Sequence, residues 1–139
     1  MILADTGFWL AIASRRDRYH KVARAALDRL HEPLVTTWPV MTETCHLLLS
    51  RLGPAAAVSF VRSAEDGAFD VFSMDTGHVP RIAELMEEYV DLPMDLADAS
   101  LVILAEELGS GRILSTDQRD FGAYRWKRRE PFDNLLPDP

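Results

Sequence analysis

Four acidic residues occupy two kinds of notable position. Two lie within apolar segments, where burying a carboxylate is costly, and two come directly after a strand-like segment. Glu43 lies among apolar side chains, and Asp98 interrupts an apolar run that is otherwise typical of a buried helix. Asp5 and Asp117 each follow a short apolar segment directly. Burying an unpaired carboxylate is expensive, so such groups are normally paired, protonated or bound to a cation. These residues are therefore candidates for metal or acid–base chemistry.

The type of cation follows from the type of donor. No lysine or arginine lies in the immediate segments around Glu43 or Asp98. Carboxylates gathered in a cleft of low dielectric repel one another, so either some of them take up protons or a cation lies between them. Oxygen donors without an accompanying His or Cys spacing favour Mg²⁺ or Mn²⁺ over zinc.

The elements that must position these acids alternate between short strands and helices along the whole chain. The pattern runs from the strand-like segment MILA to the strand-like segment GRILST near the end. Such alternation is typical of an α/β fold with a mostly parallel sheet covered by helices on both faces. We predict a single domain over residues 1–139. Ligands of these folds bind at the carboxyl edge of the sheet, where all four acids are expected to lie.

Helix capping is the alternative explanation for several acids. Asp is a favoured N-cap, and acids are stabilised near helix N-termini. Asp5 is placed to cap the helix that follows it, and Asp95 with Asp98 three residues later resembles a cap with an acidic third position. Asp117 and Asp120 repeat that spacing. We interpret Asp95 and Asp120 as caps.

Composition and charge limit the possible classes of protein. The 139 residues carry a formal net charge of −7, and 47% of them are hydrophobic, which suits one folded domain. The net charge alone argues against nucleic acid, but the stretches Ser14–Arg24 and Arg125–Glu130 are basic. The second stretch is also a candidate edge strand.

The N-terminus and the cysteine content bear on the compartment. A single cysteine, Cys45, excludes an internal disulfide framework and fits a reducing compartment. The apolar N-terminus is a poor signal peptide and is too short to span a membrane. We therefore expect a cytoplasmic protein without membrane contact.

Four segments together resemble the PIN-domain family, and specifically the VapC-like toxins of VapBC toxin–antitoxin pairs. The segments are ILADTGFWLAI, TTWPVMTETCHLL, LPMDLADASLVILAEELG and RILSTDQRDF, and their order and spacing agree over essentially the whole chain. The resemblance implies a three-layer α/β/α sandwich with a mostly parallel sheet of four to five strands. Carried over to this chain, the acidic site of the family consists of Asp5, Glu43, Asp98 and Asp117. The auxiliary residues are Thr6, Asp95 and Thr116.

The resemblance further implies an endoribonuclease that depends on Mg²⁺ or Mn²⁺. Asp5, Asp98 and Asp117 are the preferred metal ligands, whereas Glu43 would bind the metal or orient the attacking water, and the sequence leaves both roles open. Family members cut structured RNA such as tRNA or rRNA and frequently form homodimers. They are inhibited by a small antitoxin protein that inserts a segment into the acidic groove.

Side chains outside the acidic group are candidates for holding RNA. Arg112 and Arg119 bracket the strand that ends before Asp117, and they are placed to bind the RNA backbone. Trp9 and Trp38 flank the acidic edge, where an indole can stack on a base, although we interpret both as core or interface residues.

Two other classes of function remain open. Aspartate-based phosphotransfer domains also put acids at strand ends. However, neither the acidic pair nor the Asp-x-Asp motif that they place after the first strand occurs in Asp5-Thr6-Gly7. The second alternative is a catalytically silent module that keeps the fold and binds RNA or protein. The four intact acids argue against it.

Overall fold

A computed structural model describes residues 1–139. In chain order its elements are β1 (Ile2–Ala4), α1 (Thr6–Ala13), α2 (His20–Arg29), β2 (Leu34–Thr37), α3 (Trp38–Leu52), α4 (Pro54–Glu65), β3 (Asp70–Phe72), α5 (Val79–Glu88), α6 (Leu96–Leu108), β4 (Arg112–Leu114), α7 (Gln118–Ala123), β5 (Arg125–Trp126), β6 (Glu130–Pro131) and β7 (Asp133–Asn134). None of the helices combines the length and the apolar character that crossing a membrane requires.

Five strands form one parallel sheet with the order β3-β2-β1-β4-β7. The predicted α/β fold with a mostly parallel sheet of four to five strands is therefore confirmed. From the central strand β1 the chain moves outward to β2 and β3, and it then returns to the other side of β1 with β4. Ligands of open α/β sheets bind beyond the carboxyl ends of the strands where the order reverses. That place lies between β1 and β4.

Helix α6 supplies much of the core and carries one of the four acids. Eight of its thirteen residues, Ala97 and the run Ala99–Ala105, are buried. The helix packs against β1, β2, α3 and α5, which explains why its sequence is apolar on nearly every side. Gly109 ends the helix in the left-handed conformation, with φ 68°.

Two predicted elements need correction. The sequence RYHKVARAALDRLHE, residues 18–32, has a helical pattern throughout, but α2 is shorter. The carboxylate of Asp17 accepts the Tyr19 N–H at 2.8 Å in a turn before the helix, and Leu30 is already extended. The basic stretch does not form the edge strand. It contributes to the separate antiparallel hairpin β5–β6, at whose tip Lys127 and Arg128 have positive φ.

The edge strand next to β4 is β7, which follows the hairpin. The Asn134 side chain continues this pairing beyond the strand end. It donates a hydrogen bond to the Ser115 carbonyl at 2.9 Å and accepts one from the Ser115 N–H at 3.2 Å. The residues after the basic stretch thus fix the end of β4, where Ser115 contacts the acidic group.

Candidate active site

Asp5 lies at the end of β1 and is the most enclosed of the four acids, with 8% of its surface exposed. One carboxylate oxygen accepts the Thr6 N–H at 2.7 Å, which makes Asp5 the N-cap of α1. The other accepts the Ser115 hydroxyl at 3.0 Å. Burial raises the pKa of Asp5 to about 6, and repulsion from Glu43 and Asp117 adds to the increase. The structure therefore brings acids from three separate segments together.

Ser115 connects Asp5 with Asp117. Its hydroxyl donates to Asp5 and accepts the Asp117 N–H at 3.0 Å, so one side chain fixes both residues. From the sequence we selected the neighbouring Thr116 and not Ser115. The sequence feature that could have identified Ser115 is a hydroxyl residue at the end of a strand, two positions before an acid.

Asp117 is the N-cap of α7 and accepts the Asp120 N–H at 3.0 Å. Burial raises the pKa of Asp117, and the neighbouring Asp120 contributes to the same shift. Asp120 itself is not the cap that we expected from the spacing. It is the third residue of α7, and its carboxylate accepts a hydrogen bond from Arg119 at 3.1 Å.

The two predicted hydroxyl residues lie where α1 begins. Thr116 approaches Gly7 so closely that a β-carbon on Gly7 would stand 1.9 Å from the Thr116 hydroxyl oxygen. Only glycine permits this approach between the first turn of α1 and the end of β4. Thr6 is buried, and its hydroxyl has no hydrogen-bond partner in the protein.

Asp98 is the third residue of α6 and does not lie in the helix interior. Asp95 and Asp98 form a reciprocal capping box, in which the Asp98 N–H donates to Asp95 at 2.8 Å and the Asp95 N–H donates to Asp98 at 3.3 Å. Asp95 is therefore a helix cap, and capping also accounts for part of the environment of Asp98. Burial raises the pKa of Asp98, and the charges of Asp95 and Asp5 add to the increase. Asp98 thus belongs to both the cap and the acidic group.

Tyr124 is a second residue that sequence analysis missed. Its side chain is fully buried, and its hydroxyl donates to Asp98 at 3.3 Å. The ring packs edge-to-face against Tyr89 and Phe121. Burial raises the pKa of Tyr124, and the Asp98 charge acts in the same direction, so the hydroxyl stays protonated and remains a donor.

Glu43 stands five residues after the first residue of α3, which is too far along the helix for a cap. Thr37 caps α3 instead, accepting the Val40 N–H at 3.3 Å. The Thr37 hydroxyl also bonds the Ser100 hydroxyl of α6 at 2.6 Å. This contact fixes the start of α3 against α6, and hence Glu43 relative to Asp98.

The acidic edge has a hollow on each side. The hollow beside β2 is lined mainly by Trp38, Thr42, Glu43, His46, Asp95 and Leu96. The hollow beside β4 is lined by Arg18, Tyr19, Thr116, Asp117, Gln118, Arg119 and Asp138.

The two arginines that we predicted to hold RNA lie far apart in the fold. Arg119 is exposed and lines the hollow beside Asp117. Arg112 is the first residue of β4, at the amino end of the strand, and pairs with Glu32. The structure therefore does not bring Arg112 to the acidic edge, because residues that bracket a strand in sequence lie at its opposite ends.

The donor groups at this edge suit a hard divalent cation. The four acids and the neighbouring hydroxyl groups offer only oxygen, which Mg²⁺ and Mn²⁺ prefer. No three His, Cys, Asp or Glu side chains are grouped closely enough to ligate one ion directly. Mg²⁺ usually keeps several waters and needs only one or two carboxylates, so the residues fit an ion that is held partly through water.

Comparisons with known proteins agree with this fold. Residues 2–127 match the model of the PIN domain, and the chain belongs to that family. It is similar to the ribonuclease VapC26 of Mycobacterium tuberculosis, with 27% identity over 124 residues that cover 89% of this chain and 92% of that protein. The predicted resemblance to VapC-like PIN-domain proteins is thus confirmed.

A solved structure gives the same result for the three-layer fold. The crystal structure of Mycobacterium tuberculosis VapC20, described as a sarcin-ricin loop cleaving toxin, matches with a TM-score of 0.79 and 21% identity. The match covers 86% of this chain and 92% of that one.

Replacing Asp5 with Asn is expected to stabilise the protein at neutral pH in the presence of a chelator. The pKa of Asp5 is raised from 3.8 to about 6, so its contribution to stability is fully present below pH 3.8 and is lost as the pH rises through 6. The substituted amide keeps an oxygen for the Thr6 N–H and carries no charge. The free energy of unfolding at pH 7.5, measured with urea, should rise by roughly 1–3 kcal/mol.

The gain from Asp5→Asn should disappear below pH 4. The matched control is Asp28→Asn on the exposed surface of α2, which should leave the free energy of unfolding unchanged. A wild-type protein that is as stable as Asp5→Asn at pH 7.5 contradicts the assigned cost of burying the charged Asp5 carboxylate.

Proposed function

We propose that this protein is a Mg²⁺- or Mn²⁺-dependent endoribonuclease and the toxin of a toxin–antitoxin pair. The proposal rests chiefly on Asp5, which lies beyond β1 at the reversal of strand order. The charges of Glu43 and Asp117 act on Asp5, and the charge of Asp5 acts in turn on Asp98. The similarity to the ribonuclease VapC26 supports the same activity.

Hydrolysis of a phosphodiester bond needs a water aligned with the leaving oxygen and compensation of the developing negative charge. A bound divalent ion would polarise the phosphate and lower the pKa of the attacking water. Asp5, Asp98 and Asp117 would hold that ion, some of them through water. Ser115 and Tyr124 orient these carboxylates through their hydroxyl groups.

Glu43 has a different position from the other three acids, and therefore a different proposed role. Capping hydrogen bonds restrain Asp5, Asp98 and Asp117, whereas Glu43 lies beyond the first turn of its helix. Such an unrestrained carboxylate would be suited to orient the attacking water and accept its proton.

The proposed substrate is structured RNA such as tRNA or rRNA. The related VapC20 is described as cleaving the sarcin-ricin loop. Arg18 and Arg119 line the hollow next to Asp117, where they are placed to bind the RNA backbone. Their two positive charges balance the negative charges of Asp117 and Asp138, which line the same hollow.

The proposed partners are a small antitoxin protein and a second copy of the chain, in the cytoplasm. A basic antitoxin segment would find compensation for its charge at the acidic edge. Val79 and Met86, seven residues apart on α5, have exposed apolar side chains that share one face of the helix, and the exposed Val90 follows in the turn after it. Such an exposed apolar face is suited to a protein contact.

Purified protein should cleave RNA in the presence of Mg²⁺ or Mn²⁺ and not in the presence of EDTA. Asp98→Asn should reduce the rate by about 100-fold or more, because it removes one of the negative charges that would hold the divalent ion. The matched control is Glu107→Gln near the other end of α6, an exposed acid that pairs with His78. The control should cleave at the wild-type rate in a gel assay with total RNA.

Equal cleavage by wild type and Asp98→Asn would mean that the activity belongs to a contaminant. RNA binding without cleavage in either metal would instead support the silent binding module. Stable aspartyl phosphate after incubation with acetyl phosphate would support the phosphotransfer alternative.

Arg119→Ala should weaken RNA binding, whereas Arg112→Ala should leave it unchanged. Arg119 is exposed beside Asp117, while Arg112 pairs with Glu32 at the opposite end of β4. A plot of the logarithm of the binding constant against the logarithm of the salt concentration has a negative slope. Loss of one phosphate contact reduces the magnitude of this slope by roughly 0.7 to 0.9. Fluorescence anisotropy with labelled RNA, in an Asp98→Asn background and at several salt concentrations, measures this slope. Weaker binding by Arg112→Ala than by Arg119→Ala contradicts the assigned RNA path.

A further inference from the structure

Trp38 is unusually exposed for a large aromatic side chain next to a candidate active site. It begins α3, and 53% of its surface is accessible to solvent. Burial of an indole is strongly favourable, so an exposed indole forgoes a substantial hydrophobic gain. Trp38 is therefore a candidate contact for a ligand or partner.

The other tryptophans show that this exposure is specific to Trp38. Trp9 is 8% exposed, and its ring centroid lies 4.4 Å from that of Phe69 and 5.5 Å from that of Phe60. Trp126 covers Gly111 and donates its indole N–H to a backbone carbonyl of the hairpin. Trp9 belongs to the core, as expected, whereas the exposure of Trp38 excludes the core and leaves its interface position as a prediction.

The Trp38 ring has a defined orientation despite its exposure. Its indole N–H donates to the Ser73 hydroxyl at 2.9 Å, and Ser73 directly follows β3. The ring therefore extends from the end of β2 towards the end of β3, along the carboxyl edge that also carries Asp5 and Asp117. A ring that is already fixed loses little conformational entropy when a ligand packs on it.

The surroundings of Trp38 point to nucleic acid as that ligand. Trp38 lines the hollow that contains Glu43, and Arg18 and Arg119 line the hollow on the other side of the acidic group. The carboxylates thus lie between an exposed indole on one side and two arginines on the other. Proteins that bind single-stranded nucleic acid combine these two features, with phosphates on the cations and bases stacked on the aromatic rings.

We propose that Trp38 is a stacking platform for an unpaired nucleobase next to the scissile phosphate, on the Glu43 side of the site. This inference rests on the proposed ribonuclease function and adds a base-binding subsite to it. Ser73 is a positioning residue, because it acts on the base only through the orientation of the indole ring. The subsite would favour RNA whose bases are splayed out at the cut, since a paired base cannot offer its face to the ring.

The test compares Trp38→Ala and Trp38→Phe in the Asp98→Asn background, with Mg²⁺ present. The probe is a labelled single-stranded oligoribonucleotide of about eight nucleotides, within the site size of single-strand binders. Trp38→Ala should raise Kd by about 5- to 100-fold, the range that loss of one stacked base gives. Trp38→Phe should stay within about threefold of the background, because a phenyl ring still stacks. Ser73→Ala should fall between the two.

A second probe with abasic sugars in place of the nucleotides separates stacking from contact with the backbone. On this probe, Trp38→Ala should bind as the background protein does. The matched control is Leu49→Ala, since Leu49 is also 53% exposed and lies eleven residues along the same helix, about 16 Å away. It should bind both probes unchanged.

Two results would overturn the proposal. One is equal binding of the base-containing probe by Trp38→Ala and the background protein. That result would favour a protein partner as the ligand of the exposed indole. The other is an equal loss of affinity for the abasic probe, which would indicate a contact with the backbone. Both leave the ribonuclease function intact, whereas a wild-type protein that cleaves no RNA in either metal refutes that function itself.

Discussion

Repulsion among carboxylates at the carboxyl edge of the sheet is the constraint on which the rest of the structure depends. Asp5 is buried at the end of β1, next to Glu43 and Asp117, and its own charge reaches Asp98. The fold gathers like charges at one edge at a cost in stability. Its buried strands and the apolar helix α6 offset that cost.

Helix capping and metal binding are not competing explanations for these acids. Asp5 and Asp117 are N-caps, and Asp98 belongs to a capping box. The cap hydrogen bonds orient each carboxylate, and the helix N-terminus that it caps favours its negative charge. A strand followed directly by a capped helix thus delivers an oriented carboxylate to the edge of the sheet. Glu43 is the only one of the four acids that lies beyond the first turn of its helix, and this position suits a separate role.

The sequence was sufficient for the fold and for placing Asp5 and Asp117 at one edge of the sheet, because both depend on local patterns. Glu43 and Asp98 were selected instead as acids within apolar segments and through the family resemblance, and the catalytic role of all four stays a prediction. Alternating apolar segments specify strands and helices, and an acid after a strand necessarily lies at the carboxyl edge of a parallel sheet. Ser115 and Tyr124 were missed because their hydrogen bonds to the acids exist only after distant segments pack together. The edge strand β7 has two residues, which is too short for any periodicity. Trp9 and Trp38 look alike in sequence, and only the packing of the rings around Trp9 separates them.

The most direct test of the shared acidic site is a crystal structure with Mn²⁺ that uses anomalous scattering from manganese. The account predicts a manganese peak at the carboxyl edge of the sheet, in contact with Asp5, Asp98 or Asp117 directly or through one water. Absence of a peak at this edge, at a Mn²⁺ concentration that supports RNA cleavage, would contradict it. So would a manganese ion bound by other residues only.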